Sequence, residues 1–63
     1  MQISVIGLGI EGKKAITSLK SRKYDIYASD LNKNIDLTDN DIDIDIGFHD
    51  FRKIENSDAI ILS

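Results

Sequence analysis

The chain contains no cysteine, no proline and no tryptophan, and it has a single histidine. Without cysteine it forms neither disulfides nor thiolate–metal sites, and one histidine excludes a multi-histidine metal site within one chain. No apolar run approaches the ~18 residues of a membrane span, and the first apolar run is too short for a signal peptide. We therefore expect a cytoplasmic protein that makes no contact with membranes.

Length and charge narrow the class further. Sixty-three residues allow one domain, which at this size buries only about 60% of the surface of its unfolded chain. The net charge is −3, but residues 1–29 carry five basic and two acidic residues, whereas residues 30–63 carry three and nine. An acidic chain without interleaved basic and aromatic residues argues against a nucleic-acid partner. The basic half suits an anionic ligand, although the alternative interpretation is that Lys20, Arg22 and Lys23 simply complement a helix C-terminus.

The hydrophobic pattern predicts four strands and two helices in alternation. A helix in which Gly12, Ala15, Ile16 and Leu19 share one face follows the first strand. Strands joined by helices imply an α/β fold, and we predict a parallel, Rossmann-like βαβ-βαβ half-sheet with strand order 3-2-1-4. The predicted strands are Gln2–Ile6, Tyr24–Ser29, Asp41–Ile46 and Ala59–Leu62; the predicted helices are Ile10–Arg22 and Phe51–Asn56, the second capped by Asp50 with Phe51 and Ile54 facing the core.

The segment Asp41–Ile46 reads DIDIDI, a strict alternation of isoleucine and aspartate. Period two predicts a strand with one buried and one wet face. A calcium loop would need glycine at its sixth position and glutamate at its twelfth, where this chain has Ile46 and Arg52. We therefore predict an edge strand with solvated carboxylates and no metal site.

The last predicted strand, Ala59–Leu62, is apolar throughout, which is typical of a strand buried on both faces. No further segment is present to cover it. We expect residues 1–63 to form the N-terminal nucleotide-substrate-binding domain of a longer polypeptide, or to be completed by another chain. Self-association through the exposed edge strand is a second expectation.

Three glycines mark the candidate site. Gly7, Gly9 and Gly12 have the spacing G-x-G-x-x-G between a predicted strand and a predicted helix. Gly7 would permit a tight turn, Gly9 the approach of a phosphate, and Gly12 close packing of helix on strand. The N-terminus of the helix would offer free N–H groups to an anion.

Three further residues qualify this prediction. Asp30 ends the second strand, where a carboxylate commonly binds a ribose hydroxyl, although it could also start a turn over Asp30-Leu31-Asn32. Glu11 would repel a phosphate unless it points away or contacts a cation. His49 follows Gly47 and could be either a ligand contact or a turn residue satisfied by backbone.

These motifs, in this order, resemble the N-terminal domain of the Mur ligases, particularly the type that adds D-glutamate to UDP-N-acetylmuramoylalanine. Those domains have a strand, G-x-G-x-[ST]-G, a helix, a second-strand Asp, a Gly-x-His turn, and an Asp before an apolar strand that ends in Ser-Pro-Gly or Asn-Pro-Gly. The resemblance covers the whole chain. It is carried here by Gly7, Gly9, Gly12, Asp30, the turn IGFHD with Gly47 and His49, and the stretch NSDAIILS with Asp58 and Ser63.

The resemblance implies an ATP-dependent amide ligase of three domains, in which the N-terminal domain binds a UDP-linked precursor. ATP and Mg²⁺ would be bound by the rest of the parent chain, and this part would hold no cofactor and no catalytic residue. The loop Gly9-Ile10-Glu11-Gly12 would face the diphosphate. Asp30 and Leu31 would lie at the uridine end, and Gly47 to His49 would form a wall of the uracil pocket.

Two positions depart from the family pattern. Glu11 replaces the usual serine or threonine, and Asp50 stands where bacterial relatives often have proline. These departures favour a relative, such as an archaeal one in pseudomurein biogenesis, that acts on a different nucleotide-linked or acidic precursor. The same glycines with Asp30 fit an NAD-binding domain of a dehydrogenase or regulatory protein equally well.

Overall fold

A computed structural model describes the whole chain from Met1 to Ser63. All six predicted elements are present, with small shifts of their bounds. They are β1 (Gln2–Ile6), α1 (Ile10–Ser21), β2 (Asp25–Asp30), β3 (Asp43–Ile46), α2 (Phe51–Glu55) and β4 (Ala59–Leu62). β3 begins two residues later than predicted because Asp39 accepts the Asp41 N–H in a turn. Neither helix is long and apolar enough to cross a membrane.

The four strands form one parallel sheet in the order β3-β2-β1-β4, which confirms the predicted Rossmann-like half-sheet. β1 lies in the centre, so Val5 is flanked by Ala28 of β2 and Ile61 of β4. β3 occupies one edge, as its alternating aspartates predicted, and β4 occupies the other. The carboxyl ends of the strands therefore meet around the β1–α1 turn.

One face of the sheet, which we call the α1 face, carries the hydrophobic core. Its strand residues pack against the buried side of α1, where Gly12, Ile16 and Leu19 are buried as the helical period predicted. The isoleucines of the DIDIDI segment pack at the margin of this core. The core cluster consists of Ile3, Val5, Leu8, Ile16, Leu19, Ile26 and Ala28.

The opposite face, the α2 face, is polar instead. The Tyr27 hydroxyl donates to Asp45 at 2.8 Å and accepts the Asp50 N–H at 2.8 Å. Lys53 of α2 lies 2.9 Å from Asp43 and 5.2 Å from the Tyr27 ring centroid. α2 has no buried residue, so polar side-chain contacts attach it to the sheet.

Two predictions about this face fail at particular residues. Phe51 was expected to face the core but is 69% exposed, because the core lies on the other face and the α2 face offers it few apolar partners. The strand aspartates were expected to be solvated. The Asp41 and Asp43 side chains are, at 82% and 53% exposed, but the Asp45 side chain is only 16% exposed and pairs with Lys53, as Asp43 also does. The Asp50 cap is confirmed, since its side chain accepts the N–H groups of Arg52 and Lys53.

Residues 1–63 do not themselves bury β4 on both faces. Ile60 is 51% exposed and Leu62 is 79% exposed. Register places them beside Ser4 and Ile6 on the α2 face, which α2 does not cover at this edge. The outer edge of β4 has no neighbouring strand.

Candidate functional site

The turn between β1 and α1 is built on Gly7. Its φ is 100°, a left-handed value that side chains rarely adopt, and its N–H donates to the Ser29 carbonyl at 2.9 Å. A Cβ at this position would lie 2.5 Å from the Ser63 carbonyl oxygen. Both the backbone conformation and the packing therefore require glycine here.

Gly12 is required for a different reason, because it lies where the first turn of α1 contacts the β1–α1 turn. A Cβ on Gly12 would come closer than 3.0 Å to the Gly7 carbonyl oxygen and would meet Ser63 Oγ at 3.0 Å. The glycine thus allows the close helix–strand packing that the motif spacing predicts.

Gly9 differs from both of these glycines. Its φ of −71° and ψ of −163° are extended values open to any residue. No atom lies within 4 Å of a Cβ built on Gly9, and the residue is exposed. Neither the conformation nor the packing of the chain requires glycine at this position, so the space above it is open to a ligand.

The N-terminus of α1 presents unpaired donors beside this space. The first main-chain bond of the helix runs from the Lys13 N–H to the Gly9 carbonyl at 3.0 Å. The N–H groups of residues 9–12 donate to no acceptor within the chain. Together with the helix dipole, these unpaired N–H groups are suited to hold an anion.

Glu11 does not approach this space closely. Its side chain is 79% exposed and its carboxylate lies 3.9 Å from Lys14 Nζ, one turn along the helix. The carboxylate is thus partly balanced by a cation on the solvent side of α1. An exposed pair of this kind contributes little to stability, but it reduces repulsion of a nearby phosphate.

Asp30 connects the end of β2 to the glycine turn. Its Oδ2 accepts the Leu8 N–H at 2.7 Å and its Oδ1 accepts the Asn32 N–H at 2.8 Å. These two hydrogen bonds lower the pKa of the Asp30 carboxyl, and the bond from Leu8 has the larger effect. Asp30 therefore starts the turn over Asp30-Leu31-Asn32 and also holds the turn of the glycine motif; a ribose contact through its remaining lone pairs stays a prediction.

We expect Asp30→Asn to destabilise the fold at neutral pH and to flatten its response to acid. An amide side chain has one acceptor oxygen, so one of the two N–H groups loses its partner, at a cost of about 1–2 kcal/mol at this solvent-facing edge. Because the folded-state pKa is lowered, this stability is present above the unfolded-state pKa of about 3.9 and is lost as pH falls through the folded value. Urea unfolding at pH 7 and at steps below pH 4 measures both effects.

Asp36→Asn is the matched control for this substitution, because Asp36 is exposed and makes no side-chain hydrogen bond. It should leave both the stability and its pH dependence close to those of the unmodified chain. Equal losses in the two variants would show that the Asp30 hydrogen bonds do not hold the glycine turn.

The turn after β3 joins the same edge. Gly47 has a φ of 91°, and its N–H donates to the Asp30 carbonyl at 2.7 Å. His49 Nδ1 lies 2.6 Å from the Ser29 hydroxyl, so its partner is a side chain and not the backbone. Leu31 and Phe48 are exposed around this edge, at 64% and 53%.

The structure thus brings together the predicted residues that follow β1, β2 and β3, and it adds Leu8, which the sequence did not single out. Leu8, between the first two glycines, is fully buried in the core. Ser63 donates through its hydroxyl to the Gly7 carbonyl at 2.6 Å. The apolar residue inside the glycine motif was the available signal for Leu8. Ser63 was singled out by the motif resemblance, but its contact with Gly7 follows only from the β1–β4 register.

A cavity of about 260 Å³ lies elsewhere, at the amino edge of the sheet. It is lined by Gln2, Asp25, Ile26, Tyr27, Asp41, Ile42, Asp43 and Lys53, none of which belongs to the glycine turn. We assign the candidate site to the carboxyl edge, because ligand donors converge there and three strand ends meet. The candidate site is an open surface that presents backbone N–H groups, and it is not an enclosed pocket.

The chemistry available at this edge is binding. Ser29 and His49 form a hydroxyl–imidazole pair, but Ser29 is fully buried and cannot reach a substrate as a nucleophile. No group of three or more His, Cys, Asp or Glu side chains is arranged to hold a metal ion. Comparison of the chain with protein-family models, with curated proteins and with solved structures gives no match.

Proposed function

We propose that the loop Gly9–Gly12 binds the diphosphate of a nucleotide-linked substrate, and that the chain is the N-terminal substrate-binding part of a Mur-like ATP-dependent amide ligase. The main observation for diphosphate binding is the open space at Gly9, a glycine that the fold itself does not require. The assignment to a Mur-like ligase rests on the order of motifs along the sequence.

The physical case for a diphosphate comes from the donors and charges at the turn. Residues 9–12 offer free N–H groups at the N-terminus of α1. Hydrogen bonds to a charged acceptor contribute about 1.5–3 kcal/mol each when well formed, and the helix dipole about 0.3–1 kcal/mol. Lys13, exposed in the next position, adds positive charge for the same anion, whereas the charge of Lys14 is largely offset by Glu11.

The nucleoside end of the ligand would lie along the rest of the carboxyl edge. Asp30 and Leu31 follow β2, and Gly47 to His49 follow β3, so both stretches adjoin the glycine turn. An NAD-binding domain is the alternative. A dinucleotide, however, uses both halves of a full Rossmann sheet, and these four strands form one half.

ATP and Mg²⁺, which such a ligase would use, do not fit the residues of this chain. The sequence has no glycine-rich loop ending in Gly-Lys-Ser or Gly-Lys-Thr, and no acidic cluster suits a metal ion. Acyl activation would belong to another part of the parent protein, and these residues would bind and orient the precursor. A UDP-linked precursor also implies a cytoplasmic location.

Titration of the ¹⁵N-labelled chain with a ligand series tests the proposal. UDP-N-acetylglucosamine and UDP should shift the amide resonances of residues 9–12, with a Kd on the order of 1 mM for an open half-site. UMP should bind more weakly, and uridine should leave these resonances unchanged. NAD is included for the alternative.

The outcomes test diphosphate binding and the ligase assignment separately. Shifts at residues 9–12 with NAD but not with UDP compounds would support the glycine site and overturn the ligase assignment. An absence of shifts with every diphosphate at about 10 mM would overturn the site itself.

A further inference from the structure

The turn that follows β3 is held by two side chains of β2. The Asp50 N–H donates to the Tyr27 hydroxyl at 2.8 Å, and His49 Nδ1 lies 2.6 Å from the Ser29 hydroxyl. Tyr27 and Ser29 are two residues apart on one strand, so both hydroxyls project from the α2 face. The imidazole ring of His49 is thus held at one of its nitrogens, in addition to the backbone of its turn.

The Ser29 hydroxyl determines which nitrogen of His49 carries a proton. Ser29 is fully buried, so its hydroxyl proton needs an acceptor within the chain, and Nδ1 lies in position to accept it. A neutral imidazole that accepts at Nδ1 carries its own proton at Nε2. A charged imidazole donates from both nitrogens, and the hydroxyl then accepts from Nδ1. Nε2 therefore presents an N–H donor in either charge state.

This second nitrogen of His49 is unpaired and accessible. The side-chain hydrogen bond of His49 is made by Nδ1, and no buried side-chain nitrogen or oxygen of the chain lacks a partner. Nε2 has no partner, so it must be accessible to solvent. The Ser29 carbonyl accepts the Gly7 N–H at 2.9 Å, so the residue that holds His49 also holds the glycine turn. A free donor thus lies at the same edge of the sheet as the candidate site.

We propose that Ser29 is a positioning residue of the nucleotide site, which fixes His49 so that Nε2–H donates to an oxygen at the nucleoside end of the ligand. The proposal rests on the diphosphate site at residues 9–12. β3 lies two strands from β1, a separation of about 10 Å. A phosphate at the N-terminus of α1 therefore leaves the nucleoside, with its carbonyl and hydroxyl oxygens, nearer to the turn after β3.

Two substitutions at His49 distinguish its two nitrogens. Asparagine places its amide near the position of Nδ1, whereas glutamine places its amide near the position of Nε2. His49→Asn should keep the bond to Ser29 and weaken the binding of UDP about three- to tenfold, because one hydrogen bond to the ligand is lost. His49→Gln should retain the donor to the ligand and lose less than about threefold.

Ser29→Ala tests the positioning role itself. Without the hydroxyl the ring is free to turn, and UDP should bind about threefold or more weakly. In a chain that already carries His49→Asn, Ser29→Ala should weaken UDP binding no further, because the donor that Ser29 positions is absent. The two single substitutions at His49 test the ligand contact without any change at the buried position 29.

Inorganic pyrophosphate is the matched ligand for these titrations, because it carries the diphosphate but no nucleoside. Its binding, followed by the amide resonances of residues 9–12, should change less than about twofold in the His49→Asn and Ser29→Ala chains. Equal losses for pyrophosphate and UDP would overturn the contact with the nucleoside. Equal losses of UDP binding in the His49→Asn and His49→Gln chains would overturn the role of Nε2.

The imidazole nitrogens can also be observed directly, by long-range ¹H–¹⁵N correlation of the neutral ring. The ligand-free chain should show a protonated Nε2 and an accepting Nδ1, and Ser29→Ala should move the Nδ1 resonance. UDP should move the Nε2 resonance, and pyrophosphate should not. A proton on Nδ1 of the neutral ring would overturn the role of Ser29 with or without a ligand. An absence of binding by both UDP and pyrophosphate would instead overturn the diphosphate site, and the nucleoside contact with it.

Discussion

Gly12→Ala is expected to unfold the domain. Alanine at an internal helix position normally stabilises by about 1 kcal/mol relative to glycine, but here its Cβ would overlap the Gly7 carbonyl oxygen. That oxygen cannot move away easily, because Gly7 is fixed by its bond to the Ser29 carbonyl and by its left-handed φ. Overpacking of this kind costs about 1–3 kcal/mol or more, and a domain of this size has roughly 3–5 kcal/mol in total.

Circular dichroism with thermal unfolding measures this effect. Each kcal/mol lost lowers the melting temperature by about 4–8 °C in a domain of this length, so the Gly12→Ala chain should show a broad transition or none above 25 °C. Ser18→Ala, at an exposed position on the same helix, should melt at or above the temperature of the unmodified chain. A Gly12→Ala chain that melts within a few degrees of the Ser18→Ala chain would show that α1 can move off the turn at little cost.

Gly9→Ala is expected to have the opposite profile, namely intact folding and loss of diphosphate binding. The backbone at Gly9 suits alanine, and its Cβ would meet no atom of the chain. Alanine restricts the unfolded chain, but it is a poorer N-cap of α1 than glycine. These effects oppose each other, so the melting temperature should stay within about 4–8 °C of that of the unmodified chain. The methyl group would stand in the space where a phosphate must approach the free N–H groups of residues 9–12.

The same titration with UDP compounds measures the loss, which we expect to be about 30-fold or more, since a displaced phosphate loses hydrogen bonds of 1.5–3 kcal/mol each. The Ser18→Ala chain should bind as the unmodified chain does. If the Gly9→Ala chain binds with unchanged affinity, the ligand does not approach this glycine and the proposed site is wrong. Gly9 and Gly12 would then differ in packing alone.

The sequence was sufficient to predict the sheet because its signals are local and periodic. The β-branched run before Gly7, the helical spacing of Ile16 and Leu19, and the alternation of DIDIDI each identify an element and its inner side. The rule for connecting parallel strands then leaves the order 3-2-1-4. Positions of elements follow from such patterns because each pattern repeats over several residues.

A periodic pattern does not show which neighbour packs against a helix or strand, and for this reason the predictions of burial failed. The apolar run of β4 predicted burial, but burial depends on a neighbour that these residues do not provide. Phe51 failed similarly, because the polar side chains beneath α2 come one at a time from separate strands and meet only through the register. The different structural roles of the three glycines could not be predicted either, because the spacing of the motif does not show that packing requires Gly12 but not Gly9.

Because the two faces of the sheet differ in polarity, we expect α2 to detach from the sheet more easily than α1. α1 must expose the apolar core to leave the sheet, whereas α2 releases only hydrogen bonds and ion pairs that water can replace. We therefore expect the amide protons of α2 to exchange through a local, low-energy opening, and those of β1 and β2 to exchange only through global unfolding. The packing of α1 against the glycine turn would then stay intact while α2 opens and closes.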